Sequence, residues 1–447
     1  MNFEAMKQAL ISAAKAAGIT EYEIYFEREE NLSVETLKDE ISAFSSGVTG
    51  GVCFRCPING KMGYASGELL TEDAMTDLVS RAVSNAKCID SDDETVIFSG
   101  SEHYEMVELP RPELADPASM RSTALELQKQ TYSQHDAVGD GTQTYLMSTV
   151  NEVKLYNSNG LELSNRVGVT AGYVNAVVRV NDEAQEAYEA ATGSTVEDLK
   201  ELPKLAVEKA LNKIGAQTVD SGKYNVLFTG EQFRQFLSTF AQIFSAKNAQ
   251  LGLSLLAGKE GQTVAAPCVT VSDDPLRAGY AFQTPFDGEG VATYRKNVIE
   301  NGVLTTLLYD LATAQKVGKQ STGNGQKHGY SSSVSIAPYS FSIHAGENSF
   351  DDLMKMANDG ILVTECKGFH AGANAVTGDF SIESAGFRIR NGQKAEPIKS
   401  FTVAGNFFDL LKSIHALGNQ VHWSPLGGFT TFGSPDLLVL GMSVAGK

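Results

Sequence analysis

Apolar positions recur at helical spacing from the start of the chain. Phe3, Met6, Leu10, Ala13 and Ala17 fall on one face of a segment over 2–17, and Gly18 stands where such a helix should stop. Strand-like segments follow at 22–27, 32–38, 48–55 and 61–66, the last two joined across Asn59-Gly60, a strong hairpin signal. A helix then begins at Thr71, with Glu72 and Asp73 in its first turn, where negative charge suits the helix dipole. After a stretch over 89–115 rich in Asp, Ser, Glu and Pro, the order repeats. Asp116-Pro117 heads a helix to about 135, and strands are predicted near 144–148, 152–157, 161–166, 169–180 and 184–190, with a turn at Asn159-Gly160. Ser194 and Glu197 read as the capping box of a closing helix to about 214.

The second half differs in texture. It holds 27 of the 42 glycines, and short apolar or alternating runs dominate it. Hairpin turns are predicted at Asn301-Gly302 and Asn391-Gly392, with helices near 230–248, 309–317, 349–358 (Ser349 and Asp352 as a capping pair) and 406–416. The expected class is α+β. Repeated helix–antiparallel strands–helix units, about 1–88 and 116–215, make an N-terminal domain over 1–218. A glycine-rich, mainly antiparallel, barrel-like β domain is expected over 219–447.

Charge alters the picture of partners. The net charge is -18, and residues 1–220 hold 36 Asp/Glu against 18 Lys/Arg, whereas 221–447 hold 18 against 18. The excess sits wholly in the first half. Such a surface repels phosphate backbones, so no direct nucleic-acid partner is expected; it serves solubility, or docks a basic partner. Met1 to Glu4 carries no basic cluster and does not read as a signal peptide. No stretch reaches the roughly 18 uninterrupted apolar residues that signal a membrane-spanning helix, so no membrane is expected. Five scattered cysteines make no disulfide framework, and the expected compartment is the cytoplasm.

Candidate chemistry is sparse. None of the seven histidines lies three or four residues from another, so no single helix turn presents a His pair to zinc. Cys53 and Cys56 are offset by an odd number in a predicted strand, which sends their sulfurs to opposite faces. Neither a Gly-x-Ser-x-Gly elbow nor a phosphate-binding P-loop occurs. Asp287 and Glu289 lie two apart around Gly288, so an extended segment would place both on one face, as acid–base work requires, or as turn carboxylates holding their own backbone. Asn324 and His328 belong to a glycine-rich polar loop, and Asp379 follows Thr377-Gly378. The 230–248 segment carries Phe233, Phe236, Leu237, Phe240, Ile243 and Phe244 as an apolar stripe, with no side chain suited to grip a cation.

Several of these segments together resemble the PmbA/TldD family, historically called modulators of DNA gyrase and classed as metallopeptidases. The matching stretches are 284–290 (Thr-Pro-Phe-Asp-Gly-Glu-Gly), 301–305, 321–324, 375–381 (Ala-Val-Thr-Gly-Asp-Phe-Ser), Gly386-Phe387 with Asn391-Gly392, and Ala404-Gly405-Asn406. The resemblance implies two branches. TldD-like chains carry a His-Glu-x-x-x-His helix and a late cysteine that hold zinc; PmbA-like (TldE) chains lack them and pair with a TldD-like subunit in a protease of peptides or unfolded proteins. The zinc helix should fall on 230–250, yet no histidine lies between His135 and His328 and no cysteine follows Cys366. The expectation is therefore a PmbA-like partner subunit, not catalytic alone. No cofactor is expected in this chain, and zinc is expected in a TldD-like partner. Asp287, Glu289, Asn324, His328, Asp379 and Asn406 are the candidate substrate or interface residues. Two alternatives remain open, as does a homodimer of the isolated chain. One is a non-enzymatic regulator binding a target such as DNA gyrase; the other is an independent hydrolase with dispersed ligands such as His328, His370, His415 or Asp379.

Overall fold

The computed structural model of the chain describes residues 2–90, 96–107, 112–425 and 429–447. The first unit runs α1 (Phe3–Ala16), β1 (Glu23–Leu37), β2 (Glu40–Ile58), β3 (Lys61–Gly67) and α2 (Glu72–Lys87). The second runs α3 (Pro117–Ser133), β4 (Gln143–Asn157), β5 (Glu162–Val180), β6 (Glu183–Thr192), α4 (Val196–Leu199) and α5 (Leu202–Leu211). The two three-stranded meanders do not fold apart. Antiparallel pairing of β1 with β4 fuses them into one six-stranded sheet of order β3-β2-β1-β4-β5-β6.

All five helices lie on one face of this sheet. Ile24 and Phe26 of β1 pack with Met6 and Leu10 of α1 and Leu78 of α2, while Leu32 and Val34 pack with Met120 and Leu127 of α3. Gly63 allows the closest approach, since a Cβ there would stand 2.0 Å from the Ala82 carbonyl oxygen of α2. Odd-numbered residues of β1 face away from the helices. Cys56 accordingly lies in the helix-side core and Cys53 in a cluster on the other face, as the odd offset requires.

The strands are longer than the hydrophobic pattern suggested. The segments 22–27 and 32–38 are one strand, as are 144–148 with 152–157, and 161–166 with 169–180. The polar run Arg28 to Asn31 marks no turn. Arg28 and Glu30 lie on the helix-side face between the core clusters packed by α1–α2 and by α3, and pair with each other, while Glu29 and Asn31 face the open side. The capping box is also displaced by one residue, to Thr195 and Asp198 rather than Ser194 and Glu197. The connection expected over 89–115 lies partly outside the described residues.

The rest of the chain begins with β7 (Gly222–Phe228), α6 (Gly230–Phe240), α7 (Ala246–Gln250), β8 (Val271–Asp273), β9 (Lys296–Glu300), β10 (Val303–Leu304) and α8 (Leu311–Lys316). It continues with β11 (Gly325–Gln326), β12 (Ser335–Ile336), β13 (Ser340–Ile343), α9 (Phe350–Ala357), β14 (Gly360–Lys367) and α10 (Phe369–Gly372). It ends with β15 (Asp379–Arg390), β16 (Gln393–Asn406), α11 (Phe407–Lys412), β17 (Ile414–Trp423) and β18 (Thr431–Ala445). Strand β18 pairs with both β16 and β7, so β18-β16-β15-β14-β7 closes on itself as a small barrel. The hairpins at Asn301-Gly302 and Asn391-Gly392 have both residues at positive φ, the conformation their type requires.

The expected helix over 230–248 is broken. It is α6, a tighter turn over Ala241–Phe244, and α7, whose start is capped by Ser245. Its aromatic stripe is core: Phe236 meets Phe228, Phe369 and Phe380 edge-on, and Phe240 stacks on Phe407 at 4.4 Å. Replacing Phe236 by Ala removes a fully buried ring and should lower stability by about 3–5 kcal/mol. Denaturant unfolding followed through Trp423, the sole tryptophan, measures this; an unchanged midpoint would contradict the packing account.

Candidate functional site

The uncovered face of the six-stranded sheet meets the barrel through two loops, 284–290 and 322–327. Glycines let the loops interlock. A Cβ on Gly288 would lie 2.8 Å from the Gly325 carbonyl and from the Lys327 side chain, and one on Gly325 would lie 2.8 Å from Glu289 Oε2. Asp287 holds the turn: its Oδ1 accepts from the N–H groups of Glu289 (2.9 Å) and Val291 (3.0 Å), and its Oδ2 from Gly325 N–H (2.9 Å). Glu289 Oε2 accepts from Leu311 N–H at 2.9 Å, and its Oε1 lies 3.6 Å from Arg55 Nη1.

Arg55 comes from β2 of the sheet, so this contact crosses the joint. Its guanidinium also pairs with Glu23, directly opposite on β1, at 2.7 Å. All three side chains are buried. Tyr104 donates to the Gly290 carbonyl at 2.7 Å and Asn165 to the Gln283 carbonyl at 3.0 Å, adding further ties across the joint. Burial pushes the carboxyl group of Asp287 upward, helped by the charge of Glu289 and opposed by the three N–H donors. Burial also raises Glu289, with Arg55 opposing.

Beside this lies a second buried group. Asn324 donates to Asp273 Oδ2 (2.8 Å) and accepts from Lys296 Nζ (3.1 Å), which in turn contacts Asp273 at 3.2 Å. Asp273 Oδ1 takes the N–H groups of Tyr339 and Ser340, so every partner in this cluster is hydrogen-bonded.

A cleft of about 420 Å³ opens between the sheet and the barrel. Its floor is the uncovered face of β1 and β4, with Asn31, Ser33, Tyr145, Met147, Thr149 and Asn151; Phe282 and Phe429 form the opposite wall. Phe429 also borders an inner hollow of about 40 Å³ lined by Tyr25, Asp287 and Lys327. The Lys327 ammonium lies 4.5 Å from the Tyr25 ring centre, and Glu27 accepts from Asn151 at 2.8 Å. Burial raises the Glu27 carboxyl; Asn151, the Tyr330 N–H and the Lys327 charge oppose it.

Of the sequence candidates, the structure brings together Asp287 and Glu289, with Asn324 in the adjoining network. His328 is exposed beside it. Asp379 and Asn406 stand elsewhere, bonded to each other at 3.0 Å at the start of α11, where Asn406 caps the helix. Neither belongs to the cleft lining. Sequence reasoning passed over Arg55, Glu23, Glu27 and Lys327. The signal available was charge in strands: Glu23, Glu27 and Arg55 interrupt otherwise apolar runs at odd positions.

A helix-backed six-stranded sheet docked on a small barrel is an α+β architecture of mainly antiparallel sheets. Family models match along most of the chain. Residues 221–446 match the PmbA/TldA metallopeptidase C-terminal domain, 22–86 its domain 1 and 110–214 its central domain. The chain belongs to the PmbA/TldD family. A Thermotoga maritima structure described as a modulator of a DNA gyrase is similar at 30% identity, with TM-score 0.89, covering 99% of this chain and 100% of that one. TldE from Thermococcus kodakarensis shares the fold at 22% identity, with TM-score 0.88 and coverage of 99% and 100%. The metalloprotease PmbA homologue of Haemophilus influenzae is 26% identical over 94% of this chain and 91% of its own length.

Among the described residues no three His, Cys, Asp or Glu side chains gather as a metal requires. On α6 the polar side chains are engaged otherwise: Gln232 accepts from Cys366 N–H and from Gln235, Arg234 donates to the Trp423 carbonyl, and Glu231 pairs with Lys209. His328, His370, His415 and Asp379, the dispersed ligands of the independent-hydrolase reading, are all exposed and form no such group.

Two outcomes follow from the joint. Arg55→Met strands two buried carboxylates and should cost about 3–5 kcal/mol, whereas Arg55→Met with Glu23→Gln should cost less than the single change; denaturant midpoints read both. Asp287 and Glu289 hold protons more tightly folded than unfolded, so the folded state is the greater proton binder. Stability should therefore fall as pH rises from the ordinary carboxylate range through neutrality, and be highest for this pair at the acid end. Melting temperatures between about pH 5 and about pH 8 should show that slope, and Glu289→Gln should flatten it.

Proposed function

We propose that this chain is the metal-free partner subunit of a TldD/TldE-type metalloprotease, enclosing and presenting peptide or unfolded-protein substrates to a zinc-bearing companion. The observation that carries the reading is α6. At the place where the resemblance puts a zinc helix, its buried face is Phe233, Phe236, Leu237 and Phe240, and its polar side chains are tied to the protein's own backbone and to neighbouring side chains.

A hydrolytic zinc needs three protein ligands and a water whose pKa the ion lowers. A chain whose helix is committed to packing contributes instead through shape. Its sheet face and barrel supply a wall for an extended substrate. The acidic first half of the molecule, by the same reading, limits contact with nucleic acid rather than mediating it.

The test uses the purified chain, unfolded casein and a zinc-bearing member of the same family from the same genome. The chain alone should leave casein intact, and the mixture should form a stable complex and cleave it in a chelator-sensitive way. Zinc-dependent cleavage by the chain alone overturns the proposal. Stable capture of gyrase without cleavage of any substrate supports the regulator reading instead.

A further inference from the structure

Two buried polar atoms beside the cleft and the inner hollow make no hydrogen bond, Lys327 Nζ and Asn151 Oδ1, and the Glu27 carboxylate takes only Asn151 and the Tyr330 N–H. They share one neighbourhood. Asn151 lines the large cleft and is bonded to Glu27; Glu27 and Tyr25 lie on the same face of β1; and the Lys327 ammonium sits over Tyr25 in the adjoining hollow. Lys327 and Glu27 are each only 8% exposed. Buried hydrogen-bonding capacity left unused costs stability, which contrasts with the fully bonded Asp273–Lys296–Asn324 cluster nearby.

The unmet demand has a definite chemistry. The ammonium lacks an acceptor, the Asn151 oxygen lacks a donor, and the Glu27 carboxylate has lone pairs free for another. One positive and one negative side chain flank the spot, so an added charge of either sign meets repulsion from one of them. A neutral group with one acceptor and two donor hydrogens meets all three, and a primary carboxamide is such a group. The larger cleft supports an extended chain leading to it. Its floor is polar at Asn31 and Thr149 and apolar at Met147, faced by Phe282 and Phe429, and its volume lies within the range of ligand pockets.

We propose that this cleft is a peptide-binding site that selects a glutamine or asparagine side chain, seating its carboxamide among Lys327, Glu27 and Asn151. The site rests on the subunit role above only in taking peptide as the occupant. It names the feature of the substrate that this chain would read.

The full-length chain is titrated with three fluorescently labelled pentapeptides, Ala-Ala-Gln-Ala-Ala and its Glu and Lys counterparts, with fluorescence anisotropy as readout. The Gln peptide should bind at least about tenfold more tightly than either, the scale of a hydrogen bond to a charged group. Lys327→Met should abolish the preference. Glu27→Gln, which keeps the shape, should also reduce the preference. Equal affinity for the three peptides, absence of binding, or a preference untouched by both variants overturns the site and leaves a bound water as the occupant among the three side chains. Casein cleavage with the zinc-bearing companion is scored separately. Cleavage without peptide preference removes the site and keeps the subunit role; preference without cleavage does the opposite.

Discussion

The molecule depends on one cation. Arg55 stands between Glu23 of its own sheet and Glu289 of the loop presented by the barrel, with all three withdrawn from water. A buried ion pair adds little net stability by itself, but a buried carboxylate left without its cation is costly. The consequence is directional: docking brings Glu289 to Arg55, and the ties of Tyr104 and Asn165 hold the same arrangement. Around that fixed point the glycines of 284–290 and 322–327 remove the side chains that would hold the two loops apart.

Two neighbouring polar groups show how differently a fold can treat buried charge. Asp273, Lys296 and Asn324 satisfy one another and two backbone N–H groups, which is the behaviour of a structural network. Lys327 and Glu27 lie close by with hydrogen-bonding capacity left over. Uniform selection for stability would treat both alike. In the reading proposed above, that difference separates framework from site.

Much of the architecture was legible in the sequence. Helix caps, Asn-Gly turns and the glycine-rich second half located the elements, and the order of short motifs from 284 to 406 located the family. What was not legible came from long-range pairing. Strand β1 runs unbroken through Arg28 to Asn31 because β2 and β4 hydrogen-bond it on both sides, and no local pattern announces that. The candidate site was half visible. Asp287 and Glu289 stood out by spacing, but their partner Arg55 lies more than two hundred residues earlier, and nothing in the local pattern marks Lys327. Asp379 and Asn406 were conspicuous for a local reason, as the turn and cap of a short helix.

Closure of the barrel has a consequence for synthesis. Strand β18 is hydrogen-bonded to β7, β13, β16 and β17, so the ring needs residues 222–228 and 431–445 at the same time. The six-stranded sheet, by contrast, is complete once residue 192 has emerged. On the ribosome the sheet can form while the barrel strands wait unpaired, and the apolar surface of α6 waits with them. During that interval the nascent chain exposes its richest aromatic segment, which makes it a natural client for chaperones that hold unfinished proteins.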